Sequence, residues 1–469
     1  MPDITQNITS ELLMINLFRE NFATIVASEP KAITALRQKA IEVVEANGFP
    51  DTHTENWRFT NLDPLFHAPY RFDFSNQSRP FDIDKIFSCD VYDLDTFSIT
   101  LLNGWYVYQN APLTTLSNGT IIGSLAKAME VYPELVEKHL GTTANLHQPG
   151  LAALNTAFFQ DGVFIYVPEG VEVEKPIQII NIIDSAEPLM IHPRHLVIQE
   201  QGSKLTLVHC DHSLTHNVSL TNGLSETFLA KEATLDFYKI QNKGHNSAVI
   251  HNAFFKQKKQ SNLSSHALIL NGGFTKNIIN VELEEPQCNT VLNGLYLVDS
   301  NQHVDNQLLV DHAAPNCQSE QLYKGILDDE ATAVFSGKIM VRREAQKTLA
   351  YQNNKNILLT DEAKANAQPQ LEIYADDVKC SHGATVGQLD PAALFYLRTR
   401  GLCERTARQL LMYAFAGEVV QRIAITPLRE RIDQLVEKRL KGELSICDQC
   451  VLHCNTKEPT VFNIDVSKL

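Results

Sequence analysis

The chain lacks any run approaching the about 18 to 20 apolar residues of a membrane-spanning helix, so no span is expected. Its first residues, Met-Pro-Asp-Ile-Thr-Gln, lack the basic start and apolar stretch of a secretory signal. We therefore expect a cytoplasmic protein. The GxxxxGK[ST] phosphate loop, the GxSxG nucleophile elbow and the GxGxxG dinucleotide fingerprint are also missing. These absences argue against ATP hydrolysis by a phosphate loop and against the corresponding hydrolase and dinucleotide chemistries.

Positive charge is in deficit, with 40 Lys and Arg against 55 Asp and Glu and a formal net charge of −15. An acidic chain repels phosphate backbones, so nucleic acid is not an expected partner. The nine cysteines are odd in number and widely spaced as far as Cys403. That pattern does not fit the disulfide framework of a small secreted domain, and it favours reduced thiols, metal binding or redox chemistry.

The spacing and type of the apolar residues change at two places along the chain. Apolar residues at helical spacing predict a helix from Lys31 that Gly48 caps, and another helix is expected over 125–140. Short runs rich in Val, Ile, Thr and aromatic residues, separated by turn signals, extend from about Leu151 to about Gln388. Helical spacing returns after Pro391. The sequence therefore predicts a mainly helical N-terminal domain (1–150), a β core (151–388), a C-terminal helical domain (389–442) and a cysteine-rich tail (443–469).

The β core leaves several folds open. Its lack of helical segments excludes a doubly wound α/β sheet. A sandwich, a barrel and a parallel β-helix all fit the pattern, although many short strands over such a length favour a solenoid. No exact internal repeat is visible to decide between them.

Cys380 and His382 form the first candidate site. On a strand, residues two apart point to the same face, so a thiolate and an imidazole would stand side by side. Both groups suit iron, zinc or an iron–sulfur cluster, and the pair could equally be an activated thiol. Spacing alone favours a buried cysteine beside a strand-end histidine. Since two ligands cannot close a tetrahedral site, any metal needs ligands from elsewhere.

The second candidate is the tail, which carries four possible ligands within eight residues: Cys447, Cys450, His453 and Cys454. Its Cys-x-x-Cys spacing suits a metal chelate or a redox couple, or the thiols are incidental. A group of histidines between His192 and His216 also invites a metal hypothesis. We expect these histidines to lie on different rungs and faces and to have structural roles.

The C-terminal domain is predicted to contain two helices. Residues 407, 410, 411, 414 and 415 are apolar at the spacing of an amphipathic helix, and a second helix is expected over 427–440. An apolar face of this kind is usually core. It would alternatively dock a partner, with Arg398, Arg400, Arg405 and Arg408 as a polar rim.

Two longer stretches resemble the SufB/SufD family of iron–sulfur cluster assembly scaffolds. The first is GFPDTHTENWRFTNL at residues 48–62. The second is DVKCSHGATVGQLD at residues 377–390, followed by LFYLRTRG at 394–401 and by shorter matches at 407–408 and 414–419. The order of helical, β and helical domains agrees with the family over nearly the whole chain.

The resemblance implies a right-handed parallel β-helix with helical ends and a scaffold role with no catalytic nucleophile. It implies pairing with a SufB-like scaffold and docking of a SufC-like ATPase, with a transient iron–sulfur cluster or iron shared at the scaffold interface. His382 matches a cluster ligand of the family, and Cys380 matches a ligand or supporting thiol beside it. The run Lys-Cys-Ser-His-Gly at 379–383 favours the subunit that pairs with SufB over SufB itself.

The resemblance also assigns the ATPase contact to ten residues of the C-terminal domain. They are Phe395, Tyr396, Arg398, Arg400, Gly401, Ala407, Arg408, Leu411, Phe415 and Glu418. The alternatives are a SufB-like homodimeric scaffold and a metal- or iron-binding module that uses the cysteine-rich tail, a segment that departs from the family pattern. A β-helix polysaccharide lyase or hydrolase is disfavoured because it would usually carry a secretion signal and clustered acids on its strands.

Overall fold

The computed structural model describes residues 9–441 except 28, 76–78, 81–93, 109 and 145–150, and of residues 79–80 it describes the backbone alone. The core is a parallel β-solenoid of about eight turns with helices at both ends. The expectation of a mainly β solenoid is thereby confirmed. The cysteine-rich tail, with Cys447, Cys450, His453 and Cys454, lies outside the described residues, so its role stays a prediction.

The described part of the chain forms eight α-helices. They are α1 (Ser10–Ile25), α2 (Lys31–Asn47), α3 (Leu125–Val131), α4 (Pro133–His139), α5 (Ala152–Phe158), α6 (Pro391–Thr399), α7 (Glu404–Val420) and α8 (Thr426–Lys441). The Thr9 hydroxyl caps α1 by accepting a hydrogen bond from the Leu12 N–H at 3.4 Å. Gly48, with a φ of 65°, ends α2 where the sequence predicted a C-terminal cap.

Three expectations about helices were wrong. The single helix expected over 125–140 is two short helices, because Pro133 has no N–H to donate to the preceding turn. The C-terminal domain contains three helices instead of two, since α6 forms ahead of the predicted pair. On α7, the expected apolar face is only partly buried: Leu410 and Ala414 are exposed, while Met412 and Ala416 are buried.

The same part of the chain contains 22 β-strands. They are β1 (Arg79–Pro80), β2 (Phe97–Leu102), β3 (Trp105–Tyr108), β4 (Leu113–Thr115), β5 (Ile121–Ser124), β6 (Gly162–Val167), β7 (Ile177–Ile183), β8 (Leu189–Ile191), β9 (Arg194–Gln199), β10 (Lys204–Ser213), β11 (Ser219–Leu229), β12 (Thr234–Asn242), β13 (Ser247–Gln257), β14 (Asn262–Asn271), β15 (Phe274–Leu283), β16 (Asn289–Val298), β17 (His303–His312), β18 (Gln318–Leu327), β19 (Thr332–Val341), β20 (Leu349–Leu358), β21 (Lys364–Ile373) and β22 (Lys379–Gly387).

Successive strands from β9 onward alternate between two sheets that form opposite walls of the solenoid. The solenoid part of sheet I has the strand order β7-β10-β12-β14-β16-β18-β20-β22. The solenoid part of sheet II has the order β6-β9-β11-β13-β15-β17-β19-β21. Neighbours within these runs pair in parallel. At the N-terminal end the pattern changes, because β3 pairs antiparallel with β2, and β5 antiparallel with β6. At the other end, β22 and β21 are the terminal strands, so the solenoid is open there.

A repeating turn holds the rungs in register. Five non-glycine residues with φ between 60° and 66° recur at one corner of successive rungs: Glu232, Gln260, Gln287, Asn316 and Lys347. Several residues that follow such a position bond back to a carbonyl oxygen three residues earlier, as Ser261 does to Lys258 at 2.7 Å and Cys288 to Glu285 at 3.1 Å. The repeat is therefore one of backbone conformation, which explains why the sequence shows no exact repeat.

Both faces of each sheet are buried along most of the solenoid. Leu205 and Leu207 of β10 belong to the core inside the solenoid, whereas Val208 and Cys210 pack beneath the C-terminal helices. The N-terminal helices cover the outer face of sheet II in the same way. Burial on both faces explains the near-continuous apolar runs in the sequence. Among the described residues, no helix is both long and apolar enough to cross a membrane.

A buried polar cluster interrupts the apolar interior of the solenoid. The Lys239 Nζ lies 2.6 Å from the Asp211 Oδ2 and 3.0 Å from the His209 Nε2. The rings of His195 and His251 pack edge-on against His209, with centroids 5.0 Å and 5.8 Å away. Burial, reinforced by Lys239, lowers the pKa of His209 to about 4, so this imidazole is neutral. Burial alone would raise the pKa of Asp211, but Lys239 and His209 hold it well below its usual value.

We expect Asp211→Asn to lower the free energy of unfolding by about 3–5 kcal/mol, because it leaves the buried Lys239 ammonium without a counter-charge. The matched control is Glu172→Gln, which breaks the surface ion pair of Glu172 with Lys204. The Glu172 side chain is 64% exposed and the Lys204 side chain 58% exposed. That change should cost only about 0–1 kcal/mol. Urea unfolding followed by circular dichroism measures both, and equal losses would contradict a structural role for the Asp211–Lys239 pair.

Candidate functional site

Cys380 and His382 lie on β22, the terminal strand of sheet I. Their register partners on β20 are Ala350 and Gln352. Cys380 packs partly against a small apolar cluster that contains Ala350 and Ile339, which faces the inside of the solenoid. Since side chains alternate along a strand, His382 is on the same inner side. The two groups therefore stand at the mouth of the solenoid, on the last rung.

The two candidate ligands differ in exposure. The Cys380 side chain is half-buried, whereas His382 is exposed. Burial raises the pKa of the Cys380 thiol, partly offset by a hydrogen bond to its sulfur from the Ala350 backbone. At neutral pH the thiol is therefore protonated and must release its proton to bind a metal. In the described part of the chain, no group of three or more His, Cys, Asp and Glu side chains is arranged to hold a metal ion.

Exposed apolar side chains lie on or directly after the two terminal strands. Three of them are between 41% and 63% exposed: Ile373, Tyr374 and Val386. The open edges of β21 and β22 also carry backbone groups that can pair with another strand. An exposed apolar rim around unpaired strand edges is typical of an interaction site.

The N-terminal signature, residues 48–62, is bound to the outer face of sheet II. The Thr60 hydroxyl donates to the Asp305 Oδ2 at 2.5 Å, and the Lys276 Nζ lies 2.5 Å from the same oxygen. The Lys276 ammonium also lies 4.1 Å from the centroid of the Trp57 ring. In the middle of the signature, Glu55 accepts a hydrogen bond from Gln370 of β21 at 3.2 Å. The motif thus ties the N-terminal region to the strands near the open end.

The ten residues predicted to contact an ATPase divide into three groups. Phe395 (70% exposed), Tyr396 (56% exposed), Arg398, Arg400 and Gly401 are on the surface of α6 and the turn after it. Arg408, Leu411 and Phe415 of α7 are half-buried, and Glu418 is exposed. Ala407 is fully buried, because it faces the core between α7 and its neighbours, so it is not part of any surface.

A contact that sequence reasoning missed joins α7 to sheet I. Lys324 of β18 is paired with Glu418, donates to the Phe415 carbonyl oxygen at 3.0 Å, and lies 4.2 Å from the centroid of the Phe415 ring. Just after α7, Arg422 bonds to Glu320, also on β18, at 2.7 Å. No local motif marks these residues, since each pair is about a hundred positions apart.

The sequence predicted structural roles for the histidine group, on different rungs and faces. His195 and His209 depart from the second part, because their rings meet inside the solenoid from opposite sheets. His192 lies apart from them, stacked on Phe158 with ring centroids 5.3 Å apart. These contacts are with protein groups and explain the histidines as parts of the packed interior.

The fold and the site define a class of protein: a parallel β-solenoid with helical ends and an open last rung. Two family models match the chain, described as the SufBD protein N-terminal region over residues 8–179 and as the SUF system FeS cluster assembly, SufBD core domain, over residues 181–415. The chain therefore belongs to the SufB/SufD family of iron–sulfur cluster assembly proteins.

Relatives agree over most of the chain. It is 28% identical to an iron–sulfur cluster assembly SufBD family protein of Synechocystis sp. over 428 residues, which cover 89% of this chain and 93% of the relative. It is 27% identical to the iron–sulfur cluster assembly protein SufD of Escherichia coli, with 86% and 92% covered. The corresponding SufD of Bacillus subtilis is 25% identical, with 88% and 95% covered.

Among the five cysteines that the structure describes, we expect Cys403 to be alkylated first, Cys380 second, and Cys210, Cys288 and Cys317 only after unfolding. Cys403 is exposed, and hydrogen bonds from the Thr406 hydroxyl and N–H lower the pKa of its thiol. The thiolate is the reactive form. Timed iodoacetamide labelling with peptide mass spectrometry measures the order. Labelling of Cys380 as fast as Cys403 would contradict the half-buried position found for Cys380.

Proposed function

We propose that the chain is the SufD-type scaffold subunit of a cytoplasmic SUF complex. In this role it pairs with a SufB-like scaffold, binds a SufC-like ATPase, and contributes His382, with Cys380 beside it, to the site where an iron–sulfur cluster is built as cargo. The observation that carries the proposal is the position of these two groups on the last, open rung of the solenoid. Family membership and the SufD relatives support the scaffold role.

The SufB-like partner would add strands to the open edges of β21 and β22. Backbone pairing of this kind supplies affinity, and side chains around it supply specificity. The exposed Ile373, Tyr374 and Val386 would be covered in the process. Cys380 and His382 supply at most two ligands, so the remaining ligands must come from the partner across the same interface.

The ATPase would dock on α6 and α7. Helix α6 has no buried residue of its own, and it presents Phe395 and Tyr396 to solvent. Aromatic side chains with an arginine rim, here Arg398 and Arg400, have the composition of protein–protein hot spots.

Movement of the ATPase would reach the cluster site through α7. The contacts of Glu418 and Phe415 with Lys324 connect this helix to β18, which is two strands from β22. ATP binding can shift the interface only if the ATPase binds the open and closed arrangements with unequal affinity. This coupling would open or close the mouth that holds the cargo.

The test of the cluster site is co-expression of the chain with its SufB-like and SufC-like partners. We expect His382→Ala to remove most of the iron and acid-labile sulfide of the purified complex, because an imidazole ligand is lost. Cys380→Ala should cause a smaller loss, since its thiol is held protonated by burial. The control is Ser381→Ala, on the opposite face of the same strand.

Iron and sulfide assays are compared at equal amounts of intact complex, checked by size-exclusion chromatography. Unchanged cluster content in both His382→Ala and Cys380→Ala would refute the assignment of the site. A second copy of this chain at the open edge, in place of the SufB-like partner, would support a homodimeric scaffold instead.

The test of the ATPase surface is the double change Phe395→Ser and Tyr396→Ser. Loss of one hot-spot aromatic costs about 2 kcal/mol or more, so we expect binding of the SufC-like ATPase to weaken by at least roughly 30-fold. The fold should be unaffected, because both side chains are exposed. Isothermal titration calorimetry measures the affinity. Leu13→Ser, at an apolar residue 50% exposed on α1, is the control and should not change it.

A further inference from the structure

Gln352 is a buried amide directly below the cluster site. It is on β20 with 3% of its surface exposed, and its Nε2 donates to the Gln321 Oε1 of β18 at 2.6 Å. Its Oε1 has no hydrogen-bond partner among the described residues. A buried acceptor that makes no bond is costly and needs a reason.

The side chain is held in place from the opposite wall. A Cβ at Gly337 of β19 would lie 2.2 Å from the Gln352 Nε2, so the glycine leaves the space that the amide fills. Together with the bond to Gln321, this contact fixes the nitrogen end of the amide. The oxygen end is the one that remains available.

Gln352 is also the register partner of His382. Neighbouring strands are about 4.8 Å apart, and both side chains are on the inner side of sheet I, so the amide and the imidazole are cross-strand neighbours on one face. A histidine that binds a metal through one ring nitrogen usually donates its other N–H to an oxygen, which fixes the tautomer and the ring orientation.

We propose that Gln352 is a positioning residue for His382. Its Oε1 accepts the N–H of the ring nitrogen that points away from the cargo, and it thereby aims the opposite nitrogen out of the mouth towards the partner. The inference rests on the proposed function, because it assumes that His382 is a ligand. The alternative is that Gln352 and Gln321 form an amide pair with a packing role alone.

The experiment uses the complex with the SufB-like and SufC-like partners and Co²⁺ alone as the probe, with its dissociation constant measured by absorbance titration. Four variants are compared: His382→Ala, Gln352→Met, Gln352→Glu and Gln321→Met. Methionine matches the length of glutamine but offers no comparable acceptor, whereas glutamate keeps the oxygen. Gln321→Met is the matched control, because it breaks the amide pair and leaves the Gln352 Oε1 in place.

We expect Gln352→Met to weaken Co²⁺ binding by about 10- to 100-fold, the usual effect of losing an outer partner of a metal ligand. Gln352→Glu should restore binding to near the wild-type value, and Gln321→Met should change it little. Iron and sulfide content should follow the same order, with similar melting temperatures for the two methionine variants.

Three results would overturn the inference in distinguishable ways. Equal loss in Gln352→Met and Gln321→Met would assign Gln352 a packing role, and this comparison stands even if Gln352→Glu does not fold. Wild-type binding in Gln352→Met, with loss in His382→Ala, would show that His382 needs no such partner. Unchanged binding in His382→Ala would remove the proposed function itself, and the role of Gln352 with it.

Discussion

The structure depends on a ladder of backbone hydrogen bonds between parallel strands stacked in register. Each strand from β10 to β20 satisfies its N–H and C=O groups with a neighbour on either side. A solenoid cannot close on itself, so such a ladder must end in strands whose outer edges are free to pair with another chain. In this protein that end is the rung of β21 and β22, which also carries Cys380 and His382. The place where the ladder ends is therefore the place of the proposed cluster site.

Helices and the N-terminal signature are attached to the outer faces of the two sheets. The N-terminal signature is held on sheet II because Thr60 donates to Asp305 and the Trp57 ring packs against Lys276, whereas α7 is held on sheet I by the pair of Glu418 with Lys324. Helix α6 contributes no buried side chain and remains available on the surface. Sheet II is thus covered by a segment of the chain itself, whereas the helices on sheet I leave a surface that suits a partner. Hydrogen bonds and ion pairs to charged groups suit these attachments, because their geometry fixes the position of a helix or loop.

Several features were within reach of sequence reasoning, and others were not. The cap at Gly48, the start of α8 near Pro427 and the strand texture of the core follow from local propensities, which act over a few residues. The meeting of His195 with His209, and of Lys324 with α7, depends on which strands face each other across the solenoid. The apolar face of α7 was only half predicted, because helical periodicity locates a stripe but the packed neighbours decide which part is covered.

The candidate site, too, was predictable from the sequence only in part. The sequence alone determined that Cys380 and His382 share one face of a strand, because side chains alternate along any strand, and it determined the family through longer motifs. Tertiary structure decided that this face looks into the mouth of the solenoid, that the strand is the last of its sheet, and that Gln352 lies beneath His382. Those relations join residues some thirty positions apart through the register of the ladder. Register is a property of the stacked strands together, and no single segment of the chain contains it.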